Sequence, residues 1–171
     1  ACSATYRFHK MVTEEEIRIA CRVLRILLNM RRSCETEPMT IARYAQTGEF
    51  DALAAAQSHV REITRWLDRV REFLTADPIR RQKFLKGING RIDVVTVRAL
   101  YDGLRTALGD FAAQATAAST VPEFLAACSA LRQASIALRS TTMETLQPTL
   151  ETAASTTPPP DGSDLVWDGS A

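Results

Sequence analysis

The sequence predicts an all-α protein built as a bundle of four helices, and three observations predict it. Apolar residues recur three and four apart over long stretches, no stretch shows the alternation of a strand, and helix-capping signatures open three of the segments. Alanine is abundant and aromatics make up only 6% of the chain, which suits close helix packing. At 171 residues the chain is long enough for one sizeable core. The expected organisation is a helical domain over residues 1–150 and a tail over residues 151–171.

The first helix opens at Thr13, a capping residue with Glu16 three positions on, as in a capping box. Ile17, Cys21, Leu24 and Leu28 then mark one face through about Arg32. Pro38 and Gly48 interrupt "CETEPMTIARYAQTGEF", so residues 33–50 are expected to form a long connection, with room for a short helical piece. The clearest periodicity follows: Ala56, Val60, Ile63, Leu67, Val70 and Leu74 form a seam on a second helix, which Asp77-Pro78 should end. "IRRQKFLKGINGRI" is basic and punctuated at Gly87 and Gly90, and is expected to be a loop or turn.

Asp93 can cap a third helix with Val97, Leu100, Leu104, Leu108 and Phe111 on one face. Thr120, Pro122 and Glu123 start a fourth, faced by Phe124, Cys128, Leu131, Ser135 and Leu138 and closed by Pro148. Prolines 158–160 and small polar residues give the last segment the composition of a solvated tail. Yet it carries Leu165-Val166-Trp167, including one of only two tryptophans.

Composition narrows the function. Lys and Arg number 21 against 20 Asp and Glu, so any nucleic-acid binding must be confined to a local patch. The same near-neutrality weakens self-repulsion between many associated copies. The four cysteines lack metal-ligand spacing and read as free thiols; the two histidines have no partner spacing either. No metal or other cofactor is expected. No apolar run is long enough for a membrane span. The N-terminus lacks a signal-peptide core, and an initial Ala suggests a cytoplasmic start after loss of Met. No catalytic constellation or phosphate-cradling loop stands out, so an enzyme is not expected.

Two basic patterns remain. Between Glu123 and Glu144 the only charges are Arg132 and Arg139, seven residues apart on one face beside Ser129, Ser135 and Ser140. Such arginines seek an anion, either a carboxylate of a neighbouring helix or a phosphate. Arg61, Arg65 and Arg69 form a second stripe, interleaved with Glu62, Asp68 and Glu72 in the manner of a self-paired solvated face. Trp66 beside it reads as a packing residue.

The last part of the chain, "GDFAAQATAASTVPEFLAACSALRQASIALRST" with a tail ending "LVWDGSA", resembles the coat proteins of tobacco mosaic virus and related rod-shaped plant viruses. Gly109-Asp110-Phe111 is similar to the glycine-x-phenylalanine that ends that family's third helix. Residues 122–140 match its long last helix without a gap, and Leu165-Val166-Trp167 matches its apolar triplet near the C-terminus. The resemblance covers residues 97–171, extends plausibly to the second helix, and hardly reaches the first 55 residues.

The resemblance implies a non-enzymatic capsid subunit. Many copies would stack into a helical rod around single-stranded genomic RNA, largely without sequence readout, in a virion assembled in host cytoplasm. It assigns RNA contacts to Arg139 and Arg61, with Arg132, Arg65 and Ser135 as further candidates, and makes Asp110 the acid that orients Arg139. Glu123 falls on an assembly carboxylate, with Asp68 and Asp102 as candidates for a second intersubunit pair. Leu165, Val166 and Trp167 become a tail anchor on the subunit or its neighbour. The chain departs from the family at residues 112–116 and at Ser129-Ala130, where relatives carry arginines. The competing reading is a helical module that ignores RNA and binds a partner protein through the seam of the second helix.

Overall fold

A computed structural model describes residues 12–89 and 92–141, with backbone alone for Thr141. These residues are all-helical, and no strand occurs among them. The elements are α1 (Glu14–Thr47), α2 (Ala52–Arg71), α3 (Pro78–Ile88), α4 (Val94–Ala117) and α5 (Val121–Ala137). A five-residue π-helical stretch, Glu72–Ala76, extends α2, and one helical turn, Arg139–Thr141, follows α5. The expected tail over residues 151–171 lies outside the described residues, as do Cys2, His9 and Gly90.

The caps form as their residue types dictate. The Glu16 amide donates to Thr13 Oγ1 at 3.1 Å, and the Thr13 amide donates back to Glu16 Oε2 at 3.2 Å, a complete capping box. Asp93 accepts from the Val95 amide, and Thr120 from the Glu123 amide, at the starts of α4 and α5.

Three expectations are corrected. Residues 33–50 are not a connection: α1 runs unbroken for 34 residues, about 50 Å at 1.5 Å per residue. Pro38 stands inside it and is buried with Cys34 and Ile41, which carry the Met30 face about three further turns. The apolar stripe simply continues through the proline, and its burial outweighs the lost hydrogen bond. The chain turns only at Gly48, whose φ of 69° is the left-handed conformation of a helix C-cap.

The "IRRQKFLKGINGRI" segment is likewise helical through Ile88. Asp77 accepts from the Ile79 and Arg80 amides, so Asp77-Pro78 starts α3 rather than merely ending α2. Phe84 and Ile88 enter the core, and Gly87 is a packing position. A Cβ on Gly87 would come 2.1 Å from the Glu16 carbonyl oxygen and 2.8 Å from Ala20 Cβ, so α3 lies directly on α1. Lastly, Gly109-Asp110-Phe111 does not end α4, which continues to Ala117 on a run of helix-favouring alanines.

The long helices α1, α2, α4 and α5 enclose the main hydrophobic cluster, reaching from Ala20 to Leu131, and Cys21 packs apart from it with Ile17 and Leu28. The α1 helix packs on α2, α3 and α5, and α4 packs on α2 and α5. That leaves α2 and α5 at opposite corners. Every seam residue of α2 except half-buried Val60 is buried here: Ala56, Ile63, Leu67, Val70 and Leu74. Trp66, only 5% exposed, is a packing residue as expected.

Candidate nucleic-acid interface

The scarce charges at the end of the molecule where α5 finishes meet two charges of α1, Arg31 from the expected first helix and Glu35 from the expected connection. Because α1 stays helical through residue 35, Arg31 and Glu35 stand one turn apart on its face toward α5. Arg31 Nη1 donates to Glu35 Oε2 at 2.7 Å and to the Ser135 carbonyl of α5 at 3.1 Å. Arg139, in the turn after α5, donates Nη2 to the other carboxylate oxygen, Glu35 Oε1. One carboxylate thus serves two guanidiniums. Arg31 and Glu35 are buried, whereas the Arg139 side chain is 53% exposed.

The electrostatics follow from that arrangement. Burial pushes the Glu35 carboxyl upward, but hydrogen bonds and charge from Arg31, joined by Arg139, outweigh it and hold the group below its ordinary value of 4.5. Glu35 is therefore ionised, and the trio carries one more positive than negative charge. Cys34 beside it is inert: burial pushes its thiol up to about 12 against the opposing charge of Arg31.

Arg132 lies about two turns before Arg139 on α5, with Nη1 against Met39 Sδ of α1. Met39 is itself 52% exposed, so Arg132 and Arg139 edge one surface where α5 meets α1. Ser135, between them, is fully buried and donates to the Leu131 carbonyl at 2.9 Å. It is removed from the candidate contacts, since its hydroxyl is spent inside the helix.

The orienting acid is corrected too. Glu35 stands against Arg139, while Asp110 is exposed on α4 and makes no ion pair with it. Leu138 packs over Gly103, which places Arg139 about two helical turns along α4 from Asp110. Glu35 was missed because Pro38 led residues 33–50 to be read as a connection; the Met30–Cys34–Pro38–Ile41 spacing was the signal that could have found it.

Arg61 and Arg65 are exposed on α2, at the opposite corner. Arg65 pairs with Glu62 at 2.6 Å, Glu62 also accepts from Trp66 Nε1, and Arg69 stacks over the Trp66 ring at 4.6 Å. This is the self-paired face the pattern suggested. Arg61 borders a small cleft of about 390 Å³ between α2 and α4 with Ala112, Ala115 and Thr116.

Two of the three expected assembly carboxylates, Glu123 and Asp68, are locally engaged. Glu123 accepts from the Ser119 amide at 2.9 Å and its hydroxyl at 3.2 Å, closing the turn before α5. Asp68 accepts from Arg105 at 2.7 Å, and Asp102 is exposed on α4 beside Tyr101, whose phenol burial pushes upward. Leu165, Val166 and Trp167 lie outside the described residues.

Cys21, Cys34 and Cys128 are buried, and no cluster with metal-binding composition occurs among the described residues. None of the described helices is long and apolar enough to cross a membrane. No protein-family model, no curated protein and no solved structure matches the chain.

Proposed function

We propose that this chain is a structural capsid subunit that polymerises into a helical rod and packages single-stranded RNA. It would be of the tobacco mosaic virus-like coat type, acting in the virion and, during assembly, in host cytoplasm. One observation carries the reading: Arg139 is held half-exposed by a buried carboxylate whose charge Arg31 already matches. An arginine fixed in this way retains positive potential and open donors for a phosphate, and it loses little side-chain freedom on binding. One or two such contacts per subunit suffice when the subunit repeats along the RNA. Arg132 is the natural second contact, while Arg61 and Arg65 would serve a different radius of the rod.

Burial of the α2 seam weighs against the competing reading, because that face is occupied by the chain's own core. Glu123, Asp68 and Asp102 could still meet acids of neighbouring copies. In that case raising the pH to about 8 loosens the rods, as expected when paired carboxylates both ionise.

Negative-stain microscopy of purified protein with RNA at mildly acidic pH should show discs or rods. Arg139→Ala keeps its helical circular dichroism, because Glu35 retains Arg31. Its packaged, nuclease-protected RNA falls about tenfold or more, the loss of one charged hydrogen bond. Small particles alone, with or without RNA, would overturn the reading.

A further inference from the structure

At the end of the molecule remote from Arg139, α1, the end of α2 and α3 enclose an open groove of about 750 Å³. Arg18, Arg22, Arg69, Arg80 and Lys83 line it, against the acids Glu15, Glu72 and Asp77. Those acids are already engaged: Glu72 and Asp77 by Arg80, and Glu15 by Lys83 at 3.2 Å. Neither Arg18 nor Arg69 has an acid within ion-pair distance among the described residues, and Arg18 Nε is buried with no hydrogen-bond partner. The groove is therefore cationic. It is also apolar: half-buried Phe73 lines it, and Ile79 is 69% exposed, the most exposed large apolar side chain among the described residues.

We propose that this groove is the docking site for the chain's own residues 161–168, held in the same subunit. Their composition is the complement of the groove. Asp161, Asp164 and Asp168 flank Leu165-Val166-Trp167, and no Lys or Arg occurs after Arg139. The aspartates answer Arg18 and Arg69, and the apolar triplet covers Ile79 and Phe73. A phosphate backbone would satisfy the cations but leave Ile79 in water, so an acidic segment with a large apolar residue fits better than RNA.

The tether has the right length. Glu35, against Arg139, lies 17 residues along α1 from Arg18, about 26 Å at 1.5 Å per residue. Twenty residues separate Thr141 from Asp161. At most, fully extended, they reach about 66 Å at 3.3 Å per residue, more than twice that distance. A tether long enough to bridge the gap makes docking within the subunit intramolecular and so independent of protein concentration. The inference stands whether or not the chain forms rods.

Fluorine NMR of the full chain carrying 5-fluorotryptophan tests it, at a dilution where the protein sediments as a single subunit. Trp167→Phe assigns one of the two resonances, and buried Trp66 serves as an internal reporter of the fold. The Trp167 resonance should lie away from the free fluorotryptophan position and stay there on further dilution. Ile79→Asp should return it to the free position while the Trp66 resonance stays put, and Asp161→Asn, Asp164→Asn and Asp168→Asn together should do the same. A Trp167 resonance at the free position in the unmodified chain would overturn the proposal, as would one indifferent to both variants. A resonance that moves on dilution would assign the contact to a second copy and overturn docking within one subunit. If Ile79→Asp shifts Trp66, the aspartate variant decides.

Discussion

Gly87 sits where two helices touch with no room for a side chain. Gly87→Ala forces a methyl against the Glu16 carbonyl oxygen, which is fixed backbone, so α3 must shift away from α1. The expected loss is about 1–3 kcal/mol, the usual cost of overpacking. Gly109 on α4 is the control, since an added Cβ there meets nothing within 4 Å. Gly109→Ala should gain about 0.5–1 kcal/mol from reduced backbone entropy in the unfolded chain. Urea titrations of both variants check this, and equal effects at the two sites would refute the close approach. At this scale the sequence was informative where charge is scarce: Arg132 and Arg139 stood out because residues 124–143 hold no other charge. The partner of Arg139 did not, because a carboxylate's partner is set by which helix faces it.

The α1 helix shows how a local rule yields to packing. Proline in a helix interior lacks the amide that would donate to the carbonyl four residues back and is about 3 kcal/mol less favourable than alanine. The helix persists because Cys34, Pro38 and Ile41 extend its buried face against the rest of the core. Pro38→Ala restores the missing donor and gives up two or three ring carbons of burial, each worth about 0.8 kcal/mol. The helix should therefore gain about 1 kcal/mol, read as a higher urea midpoint at unchanged slope. A loss of stability would mean that the proline ring fills a space alanine leaves empty.

For the whole molecule, stability on the acid side should depend on pH through two groups. Burial pushes the His59 imidazole down to about 4 from 6.5, with the charge of Glu62 opposing. Its folded form is neutral where the unfolded chain takes a proton, so stability is full above 6.5 and falls as the pH drops toward 4. Glu35 acts in the same direction at lower pH. Its folded value lies below 4.5, so its contribution is present above 4.5 and is lost as the pH falls through the folded value. Thermal midpoints should be flat from 6.5 up to about 9, where the unfolded Cys34 thiol begins to ionise, and descend continuously below 6.5. His59→Leu should remove the upper part of the descent and leave the part due to Glu35; an unchanged profile would exclude His59 as its cause.

Sequence by itself determined the helical class, the caps at Thr13, Asp93 and Thr120, and the buried faces of α2, α4 and α5. Those are local matters of residue spacing and of side chains that satisfy amides two or three residues away. Tertiary structure decided where α1 ends, that residues 78–88 are a helix, and that Glu35 holds Arg139. Each of these turns on burial against a distant segment. A proline, a glycine or a lone carboxylate has one meaning in solvent and another against a neighbouring helix, and only the packed chain brings that neighbour within reach.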